Sequence, residues 1–296
     1  MVLFSKKNSV ILIIISITLV GITFLMQNQK KTPQPEVEIT KPQEEIIQQS
    51  KKVIGYSVRG RAIEAYSYGS GPTHLLFVGG IHGGYEWNSV LLAYTLMDYL
   101  SSNISIIPKH ITIDVIPSVN PDAVYVVTGK EGRFSQEDVT KDTQTLEAAR
   151  FNANTVDLNR NFDCKWNKKS AWRSKTVSGG TAVFSEPETR AVRDHILASQ
   201  PTMVVFWHSK ANSVYASQCS QGILPETIRI MNIYAQASGY KATEKFDAYE
   251  TTGAADDWLA SIGIPAVTVE LKTHETLQWE ENLAGVKALL LHYQNK

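Results

Sequence analysis

Four residues of this chain have the types and contexts needed for metal-dependent hydrolysis: His82, Glu86, His208 and Glu270. His82 and Glu86 stand in GGIHGGYE, just past an apolar run; His208 closes the run MVVFWH; Glu270 lies inside AVTVEL. Two histidines and a glutamate form a catalytic zinc set that leaves one position for water. A further carboxylate can take the proton from that water. A single histidine at a strand end is more often a hydrogen-bonded structural residue than a ligand. A carboxylate inside an apolar strand is harder to explain that way, because burying it unpaired is expensive. His74, His110, His195, His274 and His292 fall at strand starts, in helices or in a polar loop, and carry no such reading.

These groups need strand ends to position them. HLLFVGG (74–80) reads as a continuous apolar strand closed by glycines, as central parallel strands do. HITIDVIPSV reads as an alternating strand ending near Pro117, and 203–208 and 265–271 as further buried strands. A helix is expected over 87–100, with Val90, Ala93, Tyr94, Met97 and Leu100 on one face. Another opens at Ser185, where Pro187 and Glu188 suggest a capping box. Helices are also expected over 225–238 and from about 278. A hairpin is expected from Ile54 to Tyr68, turning at Arg59-Gly60, and the polar stretch 128–181 reads as loops with short elements. Strands alternating with helices predict an α/β fold, a single domain with a mixed, largely parallel sheet flanked by helices. Ligands in such sheets gather at the carboxyl ends of strands.

The amino-terminal part reads differently. No charged side chain stands between Lys7 and Lys30, and the apolar segment 9–26 can cross a bilayer. Lys6 and Lys7 would keep residues 1–8 in the cytoplasm. The expectation is a single-pass membrane anchor that presents the rest of the chain on the extracytoplasmic face. A cleaved signal, which would give a secreted protein, is the alternative. Residues 27–52, rich in Gln, Lys, Glu and Pro, are expected to form a disordered linker, which leaves 53–296 as the catalytic domain. With 29 basic and 29 acidic residues the net charge is zero, which argues against nucleic acid as a partner. Two cysteines exclude a disulfide scaffold. The protein is expected to be a monomer.

VDLNRNFD (156–163), taken with GIHGGYE, FWHS and TVEL in that order along the chain, resembles the zinc metallocarboxypeptidases, the carboxypeptidase A/B type and its bacterial relatives. The resemblance covers roughly 54–293. It implies a zinc carboxypeptidase-like fold, one zinc ion per chain, and a peptide with a free terminal carboxylate as substrate. His82, Glu86 and His208 match the zinc ligands, and Glu270 matches the general base and acid. Asn159 and Arg160 match the clamp on the substrate's carboxylate, a role that suits the planar guanidinium. Arg150 matches the arginine that polarises the scissile carbonyl. Tyr249 matches the mobile tyrosine that closes over substrate, and Asp157 the carboxylate that orients the first zinc histidine. Asp256 matches the base of the side-chain pocket, where a carboxylate favours a basic or diamino-acid residue, including one of cell-wall peptide.

One departure stands out. The family's first ligand pair is usually His-x-x-Glu, whereas this chain has His-x-x-x-Glu, so Gly83 and Gly84 would have to let the backbone bulge to return Glu86 to the metal. Cys164 and Cys219 flank the expected site; outside the membrane they could form a disulfide, with free buried thiols as the alternative. Two other functions fit the zinc set: a deacylase of the aspartoacylase or succinylglutamate desuccinylase type, and an inactive cell-wall-binding relative.

Overall fold

The central strands carry apolar residues on both faces, so each strand feeds two cores at once. The structure is a computed structural model and describes residues 49–296. The chain runs through β1 (Gln49–Tyr56), β2 (Ala62–Gly69), β3 (Thr73–Val78), α1 (Trp87–Ser102), β4 (Ile111–Ile116), α2 (Pro121–Thr128) and α3 (Thr143–Ala148). A small hairpin, β5 (Lys169–Trp172) and β6 (Lys175–Ser178), precedes α4 (Pro187–Ser199), β7 (Met203–Ser209) and β8 (Ser213–Ala216). Then follow α5 (Pro225–Ser238), β9 (Lys241–Thr243), α6 (Ala255–Ser261), β10 (Ala266–Leu271) and α7 (Trp279–Gln294).

The main sheet has the order β1-β2-β4-β3-β7-β10-β8-β9. Its centre, β4-β3-β7-β10, is parallel throughout, while β1-β2, β2-β4 and β10-β8 pair antiparallel. Side chains alternate across a strand. Leu75, Phe77, Val205 and Trp207 therefore pack with α1, α5 and α7 on one face. Leu76, Val78, Val204 and Phe206 pack with α4 and α6 on the other. The expected mixed α/β sheet flanked by helices is present.

Three expectations are corrected. Residues 49–52, assigned to the linker, belong to β1, where they pair with β2 from Tyr68 to Ala65. The segment is exposed and polar because an edge strand needs no buried face; Lys51 Nζ instead meets Glu64 Oε1 at 2.7 Å. β4 is buried at every position rather than alternating, since β2 and β3 cover both its edges and helices both its faces. Its Asp114 is paired there with His74 Nδ1 at 2.7 Å. The capping box at Ser185 does not form: Glu186 is the N-cap, without a side-chain cap bond. Ser185 Oγ donates to Glu186 Oε1, while buried Glu188 accepts from Val58 N and Asn152 Nδ2.

Among the described residues no helix is long and apolar enough to cross a membrane. The expected cytoplasmic segment 1–8, the apolar segment 9–26 and most of the linker lie outside the described residues.

Candidate metal centre and substrate cleft

The chain leaves β3 through Gly79-Gly80 and passes through a turn over residues 81–86 before α1 starts at Trp87. Within that turn Gly83 has φ +41°, and a Cβ on it would lie 2.6 Å from Ala123 Cβ. A Cβ on Gly84 would lie 2.5 Å from the Ala123 carbonyl oxygen. The path between His82 and Glu86 therefore depends on both glycines, and it returns the Glu86 carboxylate to His82 despite the extra residue. Glu86 Oε1 is 2.8 Å from His82 Nδ1 and Glu86 Oε2 is 2.8 Å from His208 Nδ1. The two Nδ1 atoms are 3.2 Å apart. All three residues are buried, and their ligand atoms lie within 4.8 Å of one another.

Asp157 orients the His82 ring. Asp157 is fully buried, which raises its pKa, but Arg150, Arg160 and His82 outweigh this and hold it well below the usual carboxylate range. As an ionised acceptor 3.2 Å from His82 Nε2, it requires that nitrogen to carry the proton. His82 thus turns Nε2 to Asp157 and Nδ1 toward Glu86 and His208. Glu86 itself is raised by burial and lowered more strongly by the two histidines, so it too is ionised. Two imidazole nitrogens and a carboxylate converging on one point fit a zinc ion with a position left for water. The fourth expected group sits beside them: Glu270 is half-buried, and its buried Oε2 has no hydrogen-bond partner among the described residues. Burial, with Glu86 adding to it, pushes Glu270 up to about 7.

These residues open onto a cavity of about 450 Å³ that also holds the remaining expected side chains. Arg150 is buried, donates through Nε to Asp157 Oδ2 at 2.9 Å, and lies 4.6 Å over the Trp172 ring. Arg160, 2% exposed, donates from Nε and Nη2 to the Ala171 carbonyl and from Nη1 to the Asn159 carbonyl. Each terminal nitrogen keeps a second hydrogen available to a ligand. Asn159 Oδ1 caps the amide of Ala255 at 2.9 Å, which joins the DLNR segment to α6. Tyr249 is half-buried against Phe246 and lines the same cavity. Asp256 accepts from Thr268 Oγ1 at 2.9 Å. Its neighbour Asp257 accepts from Gln218 N and is pushed up to about 7, by burial first and then by Asp256. Cys164 and Cys219 are joined as a disulfide, Cα–Cα 6.0 Å, so the alternative of free thiols does not hold.

Several cavity residues have no counterpart in the expectations drawn from sequence. Trp172 and Arg173 come from the β5–β6 hairpin, and Tyr85, Lys210 and Asp257 also line the space. His274 lies at its edge, 4.6 Å from the Tyr85 ring centre and 2.7 Å from Ser209 Oγ. The signal available in the sequence was weak: two large side chains, Trp172 and Arg173, at the tip of a short polar hairpin.

An α/β sheet that gathers two histidines and two carboxylates at the ends of its parallel strands is the frame of a metallohydrolase. The chain belongs to the zinc carboxypeptidase family, which matches residues 41–283. Its His82, Glu86 and His208 form a cluster that could hold the metal this family is named for. Among curated proteins it is 25% identical over 238 residues to gamma-D-glutamyl-L-diamino acid endopeptidase 1 of Lysinibacillus sphaericus, covering 74% of this chain and 59% of that protein. It is 29% identical over 157 residues to murein peptide amidase A of Escherichia coli, covering 50% of this chain and 61% of that protein. The chain therefore spans about six tenths of the length of these relatives. In fold it resembles the murein-tripeptide amidase of Escherichia coli O157, with a TM-score of 0.56 at 23% identity over 82% of this chain and 91% of that one. It also resembles thrombin activatable fibrinolysis inhibitor, with a TM-score of 0.63 at 20% identity over 84% of this chain and 70% of that one.

Proposed function

We propose that this chain releases a carboxyl-terminal residue bearing a cationic side group, lysine or the diamino acid of a cell-wall peptide, and that it does so outside the cytoplasm. The observation that carries the specificity is the pair Asp256 and Asp257, which line the same cavity as Arg160 and Glu270. Burial first, and then repulsion from the neighbouring carboxylate of Asp256, raise Asp257 to about 7. A cation entering beside them relieves that repulsion and gains charge-assisted hydrogen bonds. The names of two relatives, a gamma-D-glutamyl-L-diamino acid endopeptidase and a murein peptide amidase, support the diamino acid.

In this reading Arg160 and Asn159 hold the substrate's terminal carboxylate, using the guanidinium hydrogens left over from Ala171 and Asn159. The leaving residue's side chain then points to Asp256. Zinc held by His82, Glu86 and His208 would supply Lewis acidity and lower the pKa of water. Glu270 takes the proton of the attacking water and returns it to the departing amine; its partnerless, buried Oε2 leaves it poised for both transfers. Arg150, fixed by Asp157 and Trp172, donates to the carbonyl oxygen as negative charge develops there. Tyr249 closes over the bound residue. Export is supported by the Cys164–Cys219 disulfide, a bond that persists in oxidising compartments, and by the apolar segment 9–26 behind Lys6 and Lys7. That segment would anchor the chain to the membrane, or release it if cleaved.

The test is metal content of the full-length protein alongside hydrolysis of matched peptides ending in Lys, diaminopimelate or Phe. The expected result is one zinc per chain and a preference of at least about tenfold for the cationic ends, lost in Asp256→Ala. Equal rates on Lys and Phe ends would refute the specificity. Activity on acetyl-aspartate with none on any peptide would turn the reading to a deacylase.

A further inference from the structure

The cavity has a second charged end. On the side where Tyr85 precedes the ligand Glu86, it is lined by Arg173 and Lys210, both exposed. Among the described residues neither makes an ion pair with a carboxylate. Arg173 occupies the tip of the β5–β6 hairpin with φ +54°. One of its terminal nitrogens donates to Tyr85 Oη at 3.1 Å, and its guanidinium lies 5.3 Å from the Trp172 ring. Stacking and the tyrosine bond hold the guanidinium in place while most of its donors stay available. The hairpin itself is tied to the cleft by Arg160, which bonds the carbonyl of Ala171. Lys210 directly follows β7 and lines the same end of the cavity as Arg173.

Resting on the substrate orientation proposed above, we propose that Arg173, with Lys210, forms a carboxylate-binding subsite for the acyl-side residue of the cleaved bond. With the leaving residue fixed by Arg160 and Asp256, the acyl side must run past the His82–Glu86 cluster toward Tyr85 and the hairpin. A glutamyl residue joined through its γ-carboxyl keeps its α-carboxylate free beside the scissile bond. An α-linked residue offers a carboxylate there only when its own side chain is acidic, and an alanine offers none. A stacked guanidinium beside an unpaired ammonium is the chemistry that recognises it. The subsite thus selects γ-linked acidic residues from one end of the cleft while Asp256 selects the cationic residue from the other.

The experiment uses the full-length, zinc-loaded protein and three peptides: L-Ala-γ-D-Glu-L-Lys, its twin with the glutamyl α-carboxylate amidated, and L-Ala-L-Ala-L-Lys. The wild type is expected to favour the free acid over the amide by about tenfold in kcat/KM. Arg173→Ala should bring that ratio close to one, Lys210→Ala should reduce it, and Arg173→Lys should restore part of it. A ratio unchanged in Arg173→Ala overturns the subsite and leaves the proposed function standing. If none of the three peptides is cleaved, the proposed function fails instead, and calorimetry with L-Ala-γ-D-Glu and its α-amide still decides the subsite. Tighter binding of the acid, lost in Arg173→Ala, supports it; equal binding overturns it.

Discussion

His208 and Glu270 are register partners on the adjacent parallel strands β7 and β10. Directly paired residues present their side chains on the same face of a sheet, so the backbone ladder itself fixes the spacing between a metal-ligand candidate and a proton-transfer candidate. Their roles are separable, because Glu270 is not one of the three residues whose donor atoms converge.

That separation gives the first prediction. Glu270→Gln keeps one zinc per chain and loses about a thousandfold in kcat, within the usual range for a general base. His208→Ala loses the zinc. Atomic emission on the purified variants, beside their rates, checks both. Zinc lost from Glu270→Gln would make Glu270 a ligand rather than a base.

The second prediction concerns pH. Glu270, ordinarily near 4.5, is pushed up to about 7 by burial. In the folded protein it therefore keeps its proton over a range in which the unfolded chain has lost it. Stability from this group is full below pH 4.5 and declines as pH rises to about 7, by on the order of 3 kcal/mol. Asp257 acts in the same direction. The metal-free protein should melt several degrees lower at pH 8 than at pH 5, and Glu270→Gln should flatten that slope. Zinc should flatten it as well, since a nearby dication favours the ionised carboxylate. A slope of the opposite sign in the metal-free protein would contradict the assignment.

The unusual His-x-x-x-Glu spacing yields the third. Gly83→Ala places a methyl group against Ala123 at a positive φ, and strain of this kind costs about 1–3 kcal/mol. Because the strain falls between His82 and Glu86, zinc affinity should drop by more than tenfold while the helices stay folded by circular dichroism. Glu86→Gln should abolish zinc retention without the loss in melting temperature that Gly83→Ala brings to the metal-free protein. Competition with a chelator measures the first effect and thermal unfolding the second.

The reason some of this was legible in the sequence and some was not is physical. Strands β3, β7 and β10 lie mid-sheet with most of their positions buried, so their sequences are largely apolar, and His82, His208 and Glu270 interrupt or follow those runs. The DLNR residues announce themselves by local composition. The β5–β6 hairpin does not: its strands have only four residues each, of mixed burial, so no periodicity marks them. His274 comes to the cleft only because Asn88, in α1, bonds the carbonyls of Thr273 and Thr276 and folds the loop after β10 onto Tyr85. Ser185 has the right neighbours for a capping box, yet tertiary contacts of Glu188 with Val58 and Asn152 take its partner away. Contacts this distant in sequence leave no local pattern.

The disulfide gives the last prediction. Cys164 follows the DLNRNFD segment and Cys219 follows β8, at a sequence separation of 55. In the chain-entropy account a loop of that length is worth about 4 kcal/mol. Its position matters as much as its magnitude. The carbonyl of Cys164 accepts from Gly253 N at 2.8 Å, and Gln218, next to Cys219, donates its amide to Asp257 at 2.9 Å. Both contacts hold the wall that carries Asp256, whereas the His82–Glu86–His208 cluster hangs on β3, α1 and β7. Cys164→Ser with Cys219→Ser should therefore lower the melting temperature by roughly 10 °C and raise KM for Lys-ended peptides more than it lowers kcat. Zinc content should stay at one per chain. A variant with unchanged KM and depleted zinc would mean that the bridge supports the metal cluster and not the pocket wall.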